Sequence, residues 1–295
     1  MAVKTGFIGL GAMGAPMARN LLKAGIPLVV YDIAPERCRP LQDAGAQAVT
    51  CAAAVAREAT RIICMVETTA QVRAVMTGSE GVMEAAGVGH RIVCMSTISP
   101  KEIVDLHHEL GSAGVSFTDA PVSGGVERAI AGTLSIFASG DAAVLEAFRD
   151  VFASMGSNVF SMGKAGQGMA MKLVNNMLVQ VNTVAVAEAM SLGIKAGLDP
   201  QMIYDVIKVS TGYSVAFEMR VPRMIAGNFA PGGIMEISYK DQELETTFAK
   251  QLGAPMFLAP LTQQIYQIAR NLGLAKEDAS AIIKVYEQLG GSAPS

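Results

Sequence analysis

The chain has 295 residues, of which 51% are hydrophobic and 17% are charged, and its formal net charge is -3 at pH 7. A chain of this length can bury one large core or two moderate ones, and two domains are the better expectation. The weak negative charge without a basic cluster excludes the electrostatic footprint of a nucleic-acid-binding protein. No apolar stretch stands out as long and uninterrupted enough to cross a bilayer. We therefore expect small-molecule partners and other subunits, and neither nucleic acid nor membrane.

The N-terminus and the cysteines favour a cytoplasmic location. Met1 leads at once into a strand-like run, without the cationic region, apolar stretch and cleavage site of a secretory signal. The cysteines have no metal-ligand spacing, and two of them, Cys64 and Cys94, lie inside apolar runs where a reduced thiol acts as a small hydrophobe. We expect a reducing compartment and no bound metal.

The first motif is a strand-like run that leads into a glycine-rich turn. Residues 5–9 are followed by the pattern Gly-x-Gly-x-x-Gly. In a dinucleotide-binding turn, the first glycine permits a sharp bend, the second lets backbone N–H groups approach a pyrophosphate, and the third lets the next helix pack closely on the sheet. The phosphates then lie at a helix N-terminus, which favours negative charge. The predicted cofactor loop consists of Gly9, Leu10, Gly11, Ala12, Met13 and Gly14.

An acidic residue, Asp32, ends the second apolar run. A carboxylate at this place accepts both hydroxyls of the adenosine ribose and repels a 2'-phosphate. Because strand, turn, amphipathic helix, strand and acid arrive in this order, the pattern favours a dinucleotide site over an ordinary tight turn. The predicted cofactor is NAD, not NADP.

Strand-like and helix-like segments alternate up to about residue 160. Apolar runs at 61–66, 91–95 and 115–119 are separated by helical patterns such as 100–113. This alternation predicts an α/β fold of the Rossmann type, with a doubly wound and mostly parallel sheet.

The pattern breaks at residues 163–168, and the sequence is helical nearly to its end. Residues 167–195 form a long apolar segment without proline, which predicts a helix buried on most sides. Further helical patterns follow residue 200 and begin near 240 and 259. We predict an NAD-binding domain at residues 1–163 and an all-helical substrate and oligomerisation domain at residues 164–295.

Polar side chains share one face of the long apolar helix. Lys172, Asn175 and Asn176 lie within one turn, and Gln180 and Thr183 continue the stripe. Burying such groups without partners is costly, so the stripe should line a wet cleft or meet a polar ligand. The alternative to a ligand site is a helix whose polar face lies at a domain boundary or in solvent, and the pattern of the helix alone does not decide between the two.

Two strand ends carry further candidate residues. Ser123, Gly124 and Gly125 follow a strand and offer a hydroxyl with close backbone N–H groups, which suits a carboxylate. Thr97 ends another strand at the same carboxyl edge, where ligands bind in open α/β folds. The alternative for Ser123, Gly124 and Gly125 is an ordinary strand-to-helix loop. The alternative for Thr97 is simple capping of the next helix.

Four segments together resemble the β-hydroxyacid dehydrogenases, a family that includes 3-hydroxyisobutyrate dehydrogenase, tartronate semialdehyde reductase and L-threonate dehydrogenase. They occur in order and span nearly the whole chain; they are residues 6–14, 119–125 and 166–176 and the pair Lys240-Asp241. The resemblance implies an N-terminal Rossmann domain and an all-α C-terminal domain like that of 6-phosphogluconate dehydrogenase.

The resemblance also implies residue roles. Lys172 would be the catalytic acid/base, and Ser123, Gly124 and Gly125 would hold the substrate carboxylate. Asn175 and Asn176 would orient the reacting hydroxyl. Thr97 and Lys240 would contact the cofactor. Met65 and Val66, at the end of the fourth strand, would lie beside it. Lys240, taken without the resemblance, is equally a surface lysine at a helix start.

Differences between this sequence and related proteins reduce the number of reactions that fit it. Relatives that decarboxylate 6-phosphogluconate carry histidine at the position of Asn175 and glutamate at that of Val179, and they have a much longer helical part. Imine reductases and chromatin-binding relatives usually replace the lysine that this chain keeps as Lys172. The resemblance therefore disfavours these three activities.

The resulting hypothesis is an NAD-dependent 3-hydroxyacid dehydrogenase. It would oxidise the C3 hydroxyl of a small threonate-like or glycerate-like acid by hydride transfer, and would run in reverse as a semialdehyde or keto acid reductase. 3-Hydroxyisobutyrate and tartronate semialdehyde remain alternative substrates, and an NAD-binding scaffold is the non-enzymatic alternative. Arg220 could bind the substrate or form a structural ion pair. The 18 methionines and the apolar second domain indicate a homodimer or homotetramer.

Overall fold

The computed structural model describes residues 3–291, and the chain divides into two compact units that meet in sequence between Lys172 and Leu173. We refer to them as the N-terminal unit and the helical unit. The domain bounds expected from the sequence, 1–163 and 164–295, stay a prediction.

A six-stranded parallel sheet forms the centre of the N-terminal unit, with strand order β3-β2-β1-β4-β5-β6. Its strands are β1 (Thr5–Ile8), β2 (Leu28–Tyr31), β3 (Gln47–Ala48), β4 (Arg61–Cys64), β5 (Arg91–Cys94) and β6 (Ser116–Asp119). This order reverses direction beside β1, as in a doubly wound nucleotide-binding fold. The predicted Rossmann-type fold is confirmed.

Helices cover both faces of the sheet. They are α1 (Gly14–Lys23), α2 (Arg39–Gln42), α3 (Ala52–Glu58), α4 (Thr69–Thr77), α5 (Pro100–Ser112), α6 (Gly125–Ala131), α7 (Ala142–Ala147) and α8 (Arg149–Met155). Alternate residues of each central strand enter separate apolar cores; Phe7 belongs to one core and Ile8 to the other. Because both faces are buried, the strands are continuous apolar runs, which is why the sequence revealed them.

A smaller three-stranded sheet follows, with the order β7-β8-β9. Its strands are β7 (Val122–Ser123), β8 (Leu134–Ala138) and β9 (Gly156–Ser161). The β7 and β8 strands pair antiparallel, and β8 and β9 pair parallel. The sequence analysis did not anticipate this second sheet.

The long helix α9 (Gln167–Lys195) has the bounds predicted from the sequence. It begins in the N-terminal unit and continues into the helical unit, which also contains α10 (Pro200–Ile207), α11 (Val215–Ile225), α12 (Met235–Leu252), α13 (Leu258–Asn271) and α14 (Ile283–Leu289). Short 3-10 turns occur at Pro35–Arg37, Val82–Glu84 and Ala279–Ile282. The predicted helical character of the second half is confirmed.

Two expectations about α9 need correction. The helix is not buried on most sides within this chain, because only 39% of its most apolar window is buried. The second expectation concerns its length and composition. With 29 residues and a mean hydropathy of 1.4 over its most apolar window, α9 is long and apolar enough to cross a membrane by length and composition. The sequence analysis excluded a membrane-spanning stretch because charged and amide residues interrupt this segment. A spanning helix tolerates this number of charged residues. Core helices of soluble proteins have the same properties, so this finding is weak evidence for a membrane segment.

Candidate functional site

The glycine-rich turn lies between β1 and α1, and each glycine has its own structural requirement. Gly9 has a φ of +95°, and a Cβ there would clash with the Met65 carbonyl and with Val66. A Cβ on Gly14 would clash with the Gly9 carbonyl, so this glycine permits α1 to pack closely. A Cβ on Gly11 would meet nothing within 4 Å. The space in front of Gly11 is where a phosphate group can approach the backbone.

The N-terminus of α1 is suited to an anion. Met13 occupies the N-cap position, and within the described residues its side chain makes no capping hydrogen bond and no acidic residue lies in the first turn. The partial positive charge of the helix end is therefore not neutralised by these side chains. Together with the open space at Gly11, this arrangement fits the pyrophosphate of NAD.

Asp32 directly follows β2 and contacts the glycine-rich turn. Its Oδ2 accepts a hydrogen bond of 2.6 Å from Leu10 N, and its Oδ1 accepts one of 2.9 Å from Ala34 N. Arg37, which the sequence analysis did not single out, places Nη1 3.6 Å from Asp32 Oδ1. The structure therefore brings the predicted ribose-binding carboxylate and the predicted phosphate-binding turn into direct contact.

The ends of the neighbouring strands are also joined at this edge of the sheet. Met65 N donates to Ile8 O at 2.8 Å, and Val66 N donates to Ser96 Oγ at 2.8 Å. Thr97 follows Ser96 in the segment after β5, and Ser99, not Thr97, occupies the N-cap position of α5. Met65, Val66 and the turn at Gly9 thus lie together at the carboxyl edge, as the sequence analysis expected.

Ser123 is the last residue of β7, Gly124 is the N-cap of α6 and Gly125 is the first residue of α6. Gly124 has a φ of +136° and Gly125 a φ of +71°, a backbone conformation that residues with a Cβ rarely adopt. A Cβ on Gly125 would meet nothing within 4 Å. The backbone is open at Gly125, while the Arg128 side chain packs against Gly124. The open side suits a carboxylate held by N–H groups and the Ser123 hydroxyl.

Asp119 fixes the start of α9. This fully buried residue ends β6, and its carboxylate accepts hydrogen bonds from Gly166 N at 2.8 Å, from Met169 N at 2.6 Å and from the Ser139 hydroxyl. Burial raises the pKa of the Asp119 carboxyl, and the hydrogen bonds oppose that shift. Gly168 is needed at this contact because a Cβ would clash with the Phe137 carbonyl.

Lys172 lies one turn after Met169 on α9 and is 9% exposed. Asn175 and Asn176 follow it on the same face. Asn175 Nδ2 donates to Asn176 Oδ1 at 3.2 Å, and Asn176 Nδ2 donates to Asp241 Oδ2 at 2.7 Å. The two amides are therefore held in fixed orientations by a buried carboxylate on α12.

Lys240 belongs to the same group. Its Nζ lies 3.0 Å from Asp241 Oδ1, in an ion pair. Lys240 is in the interior of α12, not at the start of a helix, and its side chain is 24% exposed. The structure thus joins Asn175, Asn176 and Lys240, three predicted site residues, through Asp241.

Comparison with known proteins identifies the family. Residues 4–163 match the model of the NAD binding domain of 6-phosphogluconate dehydrogenase, and residues 166–286 match the NAD-binding domain of NADP-dependent 3-hydroxyisobutyrate dehydrogenase. The 2-(hydroxymethyl)glutarate dehydrogenase of Eubacterium barkeri is 38% identical over 98% of this chain and 97% of its own. The chain belongs to the β-hydroxyacid dehydrogenase family.

Other members of the family agree with this assignment. Human mitochondrial 3-hydroxyisobutyrate dehydrogenase is 37% identical over 95% of this chain and 85% of its own. A crystal structure of 3-hydroxyisobutyrate dehydrogenase from Salmonella typhimurium has a TM-score of 0.87 at 33% identity, covering 96% of this chain and 99% of that one. This protein is an NAD-dependent hydroxyacid dehydrogenase, which confirms the predicted family and the predicted NAD cofactor; the exclusion of NADP stays a prediction.

The sequence analysis assigned no role to two residues of this dehydrogenase that the structure places at the site. Asp119 caps α9 from β6, and Asp241 holds Asn176 from α12. Asp119 is a carboxylate at the end of an apolar run, which is a signal, whereas Asp241 lies among polar residues; the partner lies 50 residues away for Asp119 and 65 for Asp241. Arg220, in contrast, forms a buried ion pair of 2.8 Å with Asp278, which favours the structural alternative over substrate binding.

Proposed function

We propose that this dehydrogenase oxidises the C3 hydroxyl of a small polar 3-hydroxy acid and reduces the corresponding semialdehyde or keto acid in reverse. The observation that carries the proposal is the buried Lys172 amine on the same α9 face as Asn175 and Asn176. An amine fixed beside hydrogen-bonding amides is suited to exchange a proton with a hydroxyl group.

The roles of the residues follow from their chemistry. Ser123 and the backbone N–H groups at Gly124 and Gly125 bind the substrate carboxylate, and Asn175 and Asn176 orient the reacting hydroxyl. Lys172, in its neutral form, takes the hydroxyl proton during oxidation and returns it during reduction. Bound NAD supplies the two-electron acceptor.

The cofactor is held by residues of the N-terminal unit. The turn Gly9–Gly14 binds the pyrophosphate, Asp32 accepts the ribose hydroxyls, and Met65, Val66 and Thr97 contact the cofactor at the carboxyl edge of the sheet. Lys240 contributes from α12. The negative charge of Asp32 favours NAD over NADP because a 2'-phosphate would lie beside it.

The substrate assignment leans toward a threonate-like or glycerate-like acid. The L-threonate dehydrogenase of Cupriavidus necator is 34% identical over 97% of this chain and 97% of its own. The names of the other relatives keep 3-hydroxyisobutyrate and 2-(hydroxymethyl)glutarate as alternatives. Asn175 and Val179 disfavour decarboxylation of a phosphosugar.

The test compares wild type with Lys172→Met by the NADH absorbance band, using NAD and L-threonate, D-glycerate, 3-hydroxyisobutyrate and 2-(hydroxymethyl)glutarate. We expect kcat/KM to fall by about 10³-fold or more in the variant, because the proton acceptor is lost. NAD affinity, measured by calorimetry, should stay within a few-fold.

Lys164→Met, which changes an exposed lysine shortly before α9, is the matched control and should leave turnover unchanged. Turnover of Lys172→Met close to wild type would rule out the assigned role. A wild-type protein that binds NAD but oxidises none of these acids would favour the scaffold alternative.

A further inference from the structure

In the helical unit, α9 and α12 run antiparallel and contact each other through polar groups. Asn176 contacts Asp241, and one turn further along α9 the Gln180 Nε2 donates to the Ser238 carbonyl at 3.2 Å. From Asn176 to Gln180 the residue numbers rise along α9, while their partners on α12 fall from Asp241 to Ser238. Gln180 lies about 6 Å along the helix axis from Asn176, given the rise of an α-helix.

This contact also places Gln180 beside Gln242. In an α-helix the Ser238 carbonyl accepts the N–H of the residue four positions later, which is Gln242. The amide of Gln180 therefore approaches α12 at the turn from which the Gln242 side chain begins. Gln180 and Gln242 thus belong to facing turns of α9 and α12, and we call these two residues the glutamine pair.

The glutamine pair is buried and incompletely hydrogen-bonded. Gln180 is 4% exposed and Gln242 is 1% exposed. Within the part of the chain that the structure describes, Gln180 Oε1 and both polar atoms of Gln242 have no hydrogen-bond partner. A buried amide without partners destabilises a fold, whereas an apolar side chain of similar size does not.

The hydroxyl groups next to the pair have partners. The Thr183 hydroxyl donates to Val179 O at 2.7 Å, and the Tyr266 hydroxyl hydrogen-bonds to the side chains of Thr183 and Ser238. At this contact of α9 with α12 the unused hydrogen-bonding capacity includes the two glutamines and Asp241 Oδ1, which forms an ion pair with Lys240. The glutamines contribute both donors and acceptors to it. Their contribution amounts to at least one donor and two acceptors, which is complementary to a hydroxyl group because a hydroxyl both donates and accepts.

We propose that the glutamine pair determines substrate specificity by binding a hydroxyl group of the substrate other than the one at C3. The ligand class is a short polyhydroxylated carboxylate. The inference rests on the proposed function, which places the reacting hydroxyl at Asn175 and Asn176, one turn from Gln180. In L-threonate the other hydroxyls lie one carbon–carbon bond from C3, and a pair of neighbouring hydroxyls with a hydrogen bond of about 3 Å at each end spans the roughly 6 Å between the two turns.

Charge on α12 favours a hydroxyl over a second carboxylate. Asp241 directly precedes Gln242, and Glu245, which is 4% exposed, follows it by one turn. A second carboxylate of the substrate would lie beside the Asp241–Lys240 ion pair and the Glu245 carboxyl group, whereas a neutral hydroxyl needs no charged partner there. An apolar substrate such as 3-hydroxyisobutyrate would leave the amides without a partner.

The test measures kcat/KM for L-threonate and for 3-hydroxyisobutyrate with wild type, Gln242→Leu and Gln180→Leu. We expect the ratio of the two values, L-threonate over 3-hydroxyisobutyrate, to fall by about 10-fold or more in each variant, because the apolar side chain no longer pairs with a hydroxyl. Gln251→Leu, which changes an exposed glutamine on the same helix, should leave the ratio unchanged. Gln242→Met, of nearly the same shape, replaces Gln242→Leu if the latter does not fold.

Ratios within two-fold of wild type in both variants would overturn the inference and indicate that the pair holds only water. A wild-type enzyme that oxidises 3-hydroxyisobutyrate but not L-threonate would overturn it while leaving the dehydrogenase proposal intact. A wild-type protein that oxidises no hydroxy acid would overturn both.

Discussion

Asp32 combines two tasks in one carboxylate. Its Oδ2 accepts the N–H of Leu10 and so holds the glycine-rich turn against β2, and we propose that its charge also discriminates against a 2'-phosphate. Arg37, 3.6 Å away, is the cation that a 2'-phosphate would meet if the acid were absent. On this proposal, a preference for NAD depends on the charge of Asp32 more than on its shape.

We expect Asp32→Asn to lower the ratio of kcat/KM for NAD to that for NADP by about 10-fold, because the amide keeps a hydrogen-bond acceptor for Leu10 but loses the repulsive charge. Steady-state kinetics with both cofactors measures this ratio. Glu36→Gln removes an exposed negative charge close by and should change the ratio little. An unchanged ratio in Asp32→Asn would show that other groups select the cofactor.

Asp119 connects the sheet to the start of α9, which carries the proposed acid/base Lys172. It accepts two N–H groups from the start of α9, and Lys172 follows Met169 by three residues, so the position of the amine depends on this cap. We expect Asp119→Ala to reduce the free energy of unfolding by about 3 kcal/mol, since buried donors lose a charged acceptor. The kcat should also fall more than 10-fold.

Asp141→Ala is the matched comparison for this prediction. Asp141 is the exposed N-cap of α7 and accepts Ala143 N at 2.8 Å, so its loss should cost about 1 kcal/mol without affecting kcat. Urea unfolding and steady-state kinetics give both quantities. If the two variants behaved alike in kcat, Asp119 would have a structural role only.

The residues of the candidate site differ in how far the sequence predicts them. The glycine-rich turn and Asp32 are recognisable because a short local pattern carries their function. Asp119 and Asp241 are not, since each acts on a backbone or side chain far away in sequence. The sequence does not predict which amide atoms of Gln180 and Gln242 lack hydrogen-bond partners, because this depends on the neighbouring helices.

At the scale of elements, the ion pair of Arg220 on α11 with Asp278 fixes the helical unit. Both side chains are buried, and Asp278 also accepts hydrogen bonds from Gly233 N at 2.7 Å and from Ser280 N at 2.9 Å. Burial by itself raises the pKa of Asp278, but the Arg220 guanidinium and these hydrogen bonds outweigh it and lower the pKa below its ordinary value. The carboxylate thus ties α11 to the loop before α12 and to the turn at Ala279–Ile282.

The lowered pKa fixes the direction of the pH dependence. The stabilisation by Asp278 is complete above the unfolded pKa of about 3.9 and is lost as the pH falls through the lower folded pKa. We expect Asp278→Asn to reduce the free energy of unfolding by about 3 to 5 kcal/mol at pH 7, because Arg220 remains buried and unpaired. The difference from wild type should shrink as the pH falls below about 4.

Urea unfolding at several pH values measures this difference. Glu236→Gln is the control, since Glu236 pairs with Arg270 at the surface and its loss should cost less than about 1 kcal/mol. A difference between wild type and Asp278→Asn that persists undiminished at low pH would contradict the electrostatic explanation.

The elements themselves are predictable to different degrees. The strands β1, β2, β4, β5 and β6 and the helix α9 have strong periodic or continuous apolar patterns, and each lies where the sequence indicates. Strand β9 does not follow this rule, because most of its residues are exposed and leave no apolar signal. Its pairing with β8 depends on tertiary structure.

At the scale of the whole molecule, exposed apolar side chains support the proposal that the protein is a homo-oligomer. Leu178 on α9 and Met202 and Val206 on α10 are more than half exposed. Exposed apolar groups of this kind commonly mark surfaces that pack against another subunit. Analytical ultracentrifugation should give a dimer or a tetramer, and a monomer at micromolar concentration would contradict the proposal.

The central claim is that the Lys172 amine exchanges a proton with the substrate hydroxyl. A crystal structure of the protein with NAD and an unreactive analogue of the hydroxy acid tests it most directly. We predict that Lys172 Nζ lies within about 3.2 Å of the analogue's hydroxyl oxygen, with the carboxylate at Ser123. An amine directed into solvent, with another side chain on that hydroxyl, would contradict the account.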